Sequence, residues 1–178
     1  QQSEQAGMVK IKFCGITSLK DAQSAIQAGA DLLGFNFYTP SPRFISPQTC
    51  EKLLSRLGGS LETARGRVQT VGIFVNLPGS AVRTILDGCG LDLAQFSGDE
   101  TPEYLEGFKD CGYKALRPAA QEDLLETCRR FSLRSAAPAF LVDAHAPGLY
   151  GGSGKTGDWR QAAELAAQWE AWAKRASV

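Results

Sequence analysis

The sequence predicts an α/β fold in which parallel strands alternate with helices and close into a β/α-barrel. Three observations predict it. Short β-prone apolar runs alternate with helical patterns six times along the chain. Units of that kind, in register, call for a parallel sheet with crossover helices. Chemistry-bearing residues also stand at the C-terminal ends of several runs, namely Cys14, Asn36, Asn76, Gln95 and Asp143. That spread suits a barrel rim, where many βα loops face one site. The competing architecture, an open doubly wound sheet, gathers its ligand at one switch point.

The elements follow in order. Val9–Phe13 is the first strand, and Thr17-Ser18 leads into a helix over Leu19–Ala28 with Ala22, Ala25 and Ile26 on one face. Asp31–Tyr38 is the second strand, followed by the loop T-P-S-P-R-F-I-S-P. Ser46 caps a helix over Pro47–Leu57, with Pro47 at the first helical position. Gly58–Arg67 reads as a polar connection. Thr70–Val75, Leu91–Phe96, Tyr113–Leu116 and Ala139–Val142 are strands three to six. Helices over Gly79–Gly88, Thr101–Asp110 and Gln121–Phe131 separate them, and a last helix runs from Asp158 to about Arg175.

A chain of 178 residues with 43% hydrophobic content can bury one sizeable core. Nineteen basic residues balance nineteen acidic ones, so no cationic surplus points to nucleic acid, and a charged small molecule is the better ligand. The five cysteines lack C-x-x-C spacing and only one histidine accompanies them, which argues against a zinc site. No apolar run approaches the ~18 residues of a spanning helix, and no signal segment is visible. A reduced, cytoplasmic protein is expected. Residues 1–8 read as an N-terminal extension or scar, and residues 9–178 as a single β/α-barrel domain that is C-terminally short.

Five segments, in order, resemble the motifs of a known family. They are K-F-C-G-I-T, G-F-N-F-Y-T-P-S-P-R-F-I-S-P, V-G-I-F-V-N, L-D-L-A-Q-F-S-G-D-E and L-V-D-A-H-A-P-G-L-Y-G-G-S-G-K-T-G-D-W, spanning Lys10 to Trp159. The chain resembles the phosphoribosylanthranilate isomerases of tryptophan biosynthesis. The resemblance implies a (β/α)8 TIM-barrel, of which about six βα units are evident. It implies an aldose–ketose isomerase that needs no cofactor. The reaction is the Amadori rearrangement of N-(5-phosphoribosyl)anthranilate to 1-(2-carboxyphenylamino)-1-deoxyribulose 5-phosphate. By resemblance, Cys14 matches the general base that removes the C2′ proton, and Asp143 the general acid that protonates the ribose ring oxygen. Arg43 matches the arginine that holds the anthranilate carboxylate. Further substrate-binding positions are Asn36, Gln95 and, in the glycine-rich loop, Gly151, Gly152 and Gly154. Ser97 departs from the family's usual histidine.

These roles make chemical sense. A strand-end thiol can be pulled toward neutrality by helix N-termini or cations, and a carboxylic acid can be raised by apolar surroundings. Arg43 offers a planar fork that matches a carboxylate, on a loop stiffened by two prolines. The other four cysteines, Cys50, Cys89, Cys111 and Cys128, read as core or helix residues. His145 reads equally as an exposed loop residue or an accessory group. Gly148–Thr156 invites a P-loop reading, but that motif needs a glycine where Leu149 stands. A lid with glycine hinges fits better.

Six units occupy about 170 residues, so a complete barrel of this build needs about 220. After Trp159 a single helical pattern runs on, and no seventh or eighth strand is read. The loops after those strands form the phosphate site of such barrels. The alternative reading is therefore an inactive or weakly active partial barrel, one that self-associates through open sheet edges or requires a complementary fragment. Trp169 and Trp172 would then cover core or mark an interface.

Overall fold

The computed structural model describes residues 10–117, 124–132, 134, 136–143, 160 and 163–169. The chain divides into two compact units, residues 1–94 and 95–178.

In the first unit, β1 (Lys12–Cys14) is followed by α1 (Leu19–Gln27), β2 (Leu32–Asn36) and α2 (Pro47–Leu57). Both helices begin where the caps dictate. The Ser18 hydroxyl accepts from the Asp21 N–H at 3.1 Å, and the Ser46 hydroxyl from the Thr49 N–H at 3.2 Å. The connection after α2 is not irregular throughout. A 3-10 turn over Gly58–Leu61 leads into a small antiparallel hairpin of β3 (Glu62–Thr63) and β4 (Gly66–Arg67). The Thr63 hydroxyl closes that hairpin by donating to the Gly66 carbonyl at 2.7 Å. Then come β5 (Gln69–Phe74), α3 (Gly79–Cys89) and β6 (Leu93–Phe96), whose first two residues belong to this unit.

Strand β1 pairs parallel with β2, and β2 with β5; the rungs include Cys14 with Gly34, Gly34 with Val71 and Asn36 with Ile73. Alternation sends Leu33, Phe35, Thr70 and Phe74 to one side, where all four are at most 1% exposed. Ala22 of α1, Cys50 of α2 and Val82 of α3 are equally buried. Phe37 stacks on Phe74 with ring centroids 5.4 Å apart. Carboxylates fasten the N-terminal ends of the strands. Asp31 accepts from the Ile11 N–H at 2.8 Å, and Asp92 from the Thr70 N–H at 2.7 Å and the Thr70 hydroxyl at 2.8 Å.

The second unit takes up the end of β6 and continues through α4 (Pro102–Glu106), β7 (Gly112–Leu116), α5 (Leu124–Phe131) and β8 (Phe140–Val142). Strand β7 lies beside β6 and pairs parallel with β8. Helix α4 is shorter than the span over Thr101–Asp110 read from the sequence. The Phe108 carbonyl accepts from the N–H groups of both Cys111 and Gly112, which turns the chain into β7. Phe96, Tyr104 and Phe108 pack as an aromatic cluster with centroids 5.0–5.5 Å apart. Leu116, Leu124, Cys128 and Leu165 form the second core, and Phe140 meets the edge of Trp169 at 4.8 Å. Leu165 and Trp169 belong to the final helical stretch, described over residues 163–169. The remainder of that expected helix, with Trp172, lies outside the described residues, as do residues 1–9. No described helix is long and apolar enough to cross a membrane.

Candidate active site

Strand β1 ends on Cys14 itself, one residue beyond the sequence reading, because the ladder with β2 continues to the Gly34 rung. Past the thiol, the N–H groups of Gly15 and Ile16 both donate to the Gly34 carbonyl, at 2.9 and 3.0 Å. The chain is thus hooked over the end of β2, and Gly15 adopts φ +83°, a conformation that favours glycine. Cys14 is exposed, while Cys50, Cys89 and Cys128 are buried and Cys111 is half-buried. Burial pushes the Cys50 and Cys89 thiols up, away from reactive thiolate.

Arg43 comes to the same place. A Cβ added to Gly15 would stand 2.5 Å from Arg43 Cδ and 3.0 Å from its Nε, so the arginine lies across the glycine that follows the thiol. The loop that delivers it is built by Asn36 and Ser41. The Asn36 carboxamide accepts from the Tyr38 N–H at 2.9 Å and donates to the Ser41 hydroxyl at 3.1 Å. That hydroxyl in turn accepts from the Arg43 N–H at 3.2 Å, and the Asn36 carbonyl accepts from the Ile45 N–H at 2.9 Å. The structure therefore shows Asn36 shaping the arginine loop.

In the second unit Gln95 and Ser97 are buried at the end of β6. Tyr113 donates to Gln95 Oε1 at 3.1 Å, and Gln95 Nε2 donates to the Ser97 hydroxyl at 3.0 Å. This chain fixes which way the Gln95 amide points. Asp143 stands immediately after β8, half-buried, its N–H donating to the Leu116 carbonyl at 2.8 Å. Gly151, Gly152 and Gly154, with His145, lie outside the described residues. A cavity of about 230 Å³ opens elsewhere in this unit, where Glu100, Lys114, Arg117 and Phe131 line it. Lys114 alternates with Tyr113 along β7, so this cavity is on the face away from Gln95. Its charges are spent on each other. Lys114 donates to Glu100 at 2.7 Å and to the Gly98 carbonyl, and Arg117 pairs with Asp99 at 3.4 Å.

The family model for N-(5′-phosphoribosyl)anthranilate isomerase matches residues 11–171. The chain belongs to this isomerase family of tryptophan biosynthesis. It is 40% identical over 161 residues to the N-(5′-phosphoribosyl)anthranilate isomerase of Pelobacter propionicus, covering 90% of this chain and 71% of that relative. The crystal structure of phosphoribosyl anthranilate isomerase from Thermotoga maritima superposes with a TM-score of 0.69 at 31% identity, over 85% of this chain and 69% of that one. A further isomerase structure, in complex with reduced 1-(o-carboxyphenylamino)-1-deoxyribulose 5-phosphate, matches at TM-score 0.64 and 29% identity, over 78% and 66% of the two chains. The fold is thus the α/β, TIM-barrel type of this family, as the sequence predicts.

Three side chains that shape these sites went unread in the sequence. Ser41 stands out in the sequence only as part of the S-P-R loop. Tyr113 carries no motif of its own, and its partner Gln95 lies eighteen residues away. Lys12 stands two residues before Cys14, in a spacing that alternation places on one strand face.

Proposed function

We propose that this chain catalyses the Amadori rearrangement of N-(5-phosphoribosyl)anthranilate, with Asp143 as general acid, Cys14 as general base and Arg43 as the carboxylate anchor. The family match over residues 11–171 carries this reading and favours it over a non-catalytic fragment.

The chemistry runs in two proton transfers. Asp143 gives a proton to the ribose ring oxygen, the C1′–O bond breaks, and the anthranilate nitrogen lone pair forms the C1′=N bond. The Cys14 thiolate then removes the C2′ proton. The C2′–H electron pair becomes the C1′=C2′ bond and the iminium nitrogen is neutralised. Tautomerisation moves the C2′ hydroxyl proton to C1′ and leaves the ketose. No electrons leave the substrate and no cofactor enters the balance.

An exposed thiol at a strand end, with a guanidinium laid over the next residue, suits a base that works beside a bound anthranilate carboxylate. Asn36 serves this site by holding the arginine loop, and Gln95 presents an amide oriented by Tyr113. The glycines at 151, 152 and 154 belong to the loop expected to cover the substrate. The isomerase solved with a phosphorylated product analogue supports a phosphorylated small molecule as ligand. We place the enzyme in the cytoplasm.

The test is turnover of the fluorescent substrate by the chain and by Cys14→Ala and Asp143→Asn. Each variant is expected to lose roughly 10²–10⁴-fold in rate, the usual worth of a positioned acid or base. Unchanged activity in both would sink the assignment.

A further inference from the structure

We infer that Lys12 is a positioning residue for the Cys14 thiolate, its ammonium carried to the rung of the thiol through the space left by Gly34. This inference rests on Cys14 being the base and adds a residue to that site.

The argument starts from alternation. Strand β1 has three residues, so Lys12 and Cys14 point to one side and Phe13 to the other. Their Cα atoms are about 6.6 Å apart at the usual strand rise. A fully extended lysine spans that distance, provided nothing fills the path between the two rungs.

The parallel register supplies the path. Leu32 stands opposite Lys12 and Gly34 opposite Cys14. A Cβ at Gly34 would lie 3.2 Å from Lys12 Cε, 3.3 Å from the Cys14 Cα and 3.1 Å from Ile73 Cδ1. The lysine stem therefore runs forward along the strand pair, and its last methylene occupies the volume that any side chain at 34 would claim. The ammonium, one bond further on, is delivered at the level of the thiol. Two features of the β1–β2 pair thus have one explanation: the absence of a side chain opposite Cys14, and the forward course of Lys12.

The surroundings make the cation effective. On this face β2 offers Leu32, Gly34 and Asn36, and β5 offers Gln69, Val71 and Ile73, none of them titratable. Asp31 is at the other end of β1, where it accepts from the Ile11 N–H. Arg43 adds a second cation over Gly15. Burial lowers the Lys12 pKa, and the charge on Cys14 pulls it back up. A lysine in this place favours the thiolate that the reaction needs before substrate arrives.

The experiment compares wild type with Lys12→Met, Lys12→Arg and Gly34→Ala by two readouts. One is the rate of Cys14 alkylation by iodoacetamide, followed at that cysteine by peptide mapping. The other is the pH profile of kcat/KM. In Lys12→Met the ascending limb of the profile is expected to move up by about one pH unit, and alkylation near neutral pH to slow about tenfold, as for loss of an opposite charge within a few ångströms. Lys12→Arg should restore most of both. Gly34→Ala keeps the charge but displaces its stem, so it should slow alkylation in the same direction and carries the test should Lys12→Met fail to fold. Unchanged alkylation in whichever of these variants folds would overturn the proposal. Cys14→Ala that retains full turnover would instead overturn the catalytic reading beneath it. Alkylation of Cys14 reports the coupling whether or not the thiol is the base, so the two failures are distinguishable.

Discussion

Lys12 and Lys114 both stand within parallel strands, and burial lowers the ammonium pKa of each. They are spent differently. Lys114 faces the helix layer, donates to Glu100 at 2.7 Å and to the Gly98 carbonyl, and lies 5.9 Å from the Phe131 ring centroid. Both members of that pair are nearly sealed from water, at 6% and 2% side-chain exposure. Lys12 shares its face with an exposed thiol, and the residues of β2 on that face are Leu32, Gly34 and Asn36. A buried lysine whose charge is matched by a buried carboxylate holds the fold. A lysine directed at a strand-end base acts on reactivity. Lys114 is buried and Lys12 half-buried, and the groups each of them faces set the two further apart.

That contrast can be broken most sharply at Lys114. Lys114→Met takes the cation from buried Glu100, a loss on the order of 3–5 kcal/mol. Urea unfolding should show it, and the double change with Glu100→Leu should recover much of the loss. Lys12→Met should cost far less stability by the same measurement, and that difference is what the comparison asserts. Next in size is Arg43→Met. It removes a charge-assisted contact worth about 1.5–3 kcal/mol, so KM should rise roughly ten- to hundredfold, with kcat changed much less. Smallest is Tyr113→Phe, which takes the donor from buried Gln95 Oε1. A loss of about 1 kcal/mol is expected in thermal or urea unfolding. An Arg43 variant with unaltered KM, or a Lys114 variant as stable as wild type, would erase the distinction between the two kinds of charged group.

Much of the fold was legible because local chemistry decides it. The bounds of α2 follow from Ser46 and Pro47 and agree with the structure. The start of α1 follows from Ser18 in the same way. Where long-range pairing decides, the sequence was less informative. Strand β1 reaches Cys14 because β2 offers a rung there. The hairpin over Glu62–Arg67 is local, but its two-residue strands are too short to show a β pattern, and the Thr63 hydroxyl closes it on Gly66. Helix α4 ends at Glu106 with Gly107 as its C-cap, a stop signal inside the longer helical span, and the Phe108 carbonyl then turns the chain into β7.

The site divides along the same line. Cys14, Arg43 and Asp143 were legible as motif positions at strand ends and in the S-P-R loop. That Arg43 crosses Gly15 was not, since it depends on the Asn36–Ser41 hydrogen bonds that fold the loop back. Asn36, read as a substrate contact, is engaged in that folding. Lys12 was invisible for a related reason. A lone lysine in a short strand reads as a solvated face until the register puts a glycine in front of it. Ser97 gains a place from Gln95, whose amide donates to it.

The central claim is that the Cys14 thiolate takes the C2′ proton. Single-turnover rates of wild type and Cys14→Ala on substrate carrying hydrogen or deuterium at C2′ test it most directly. The account predicts a primary isotope effect on the wild-type chemical step and a loss of about 10²-fold or more in Cys14→Ala, with the variant folded as judged by its melting temperature. A Cys14→Ala enzyme that turns over as fast as wild type, with the same isotope effect, would contradict it.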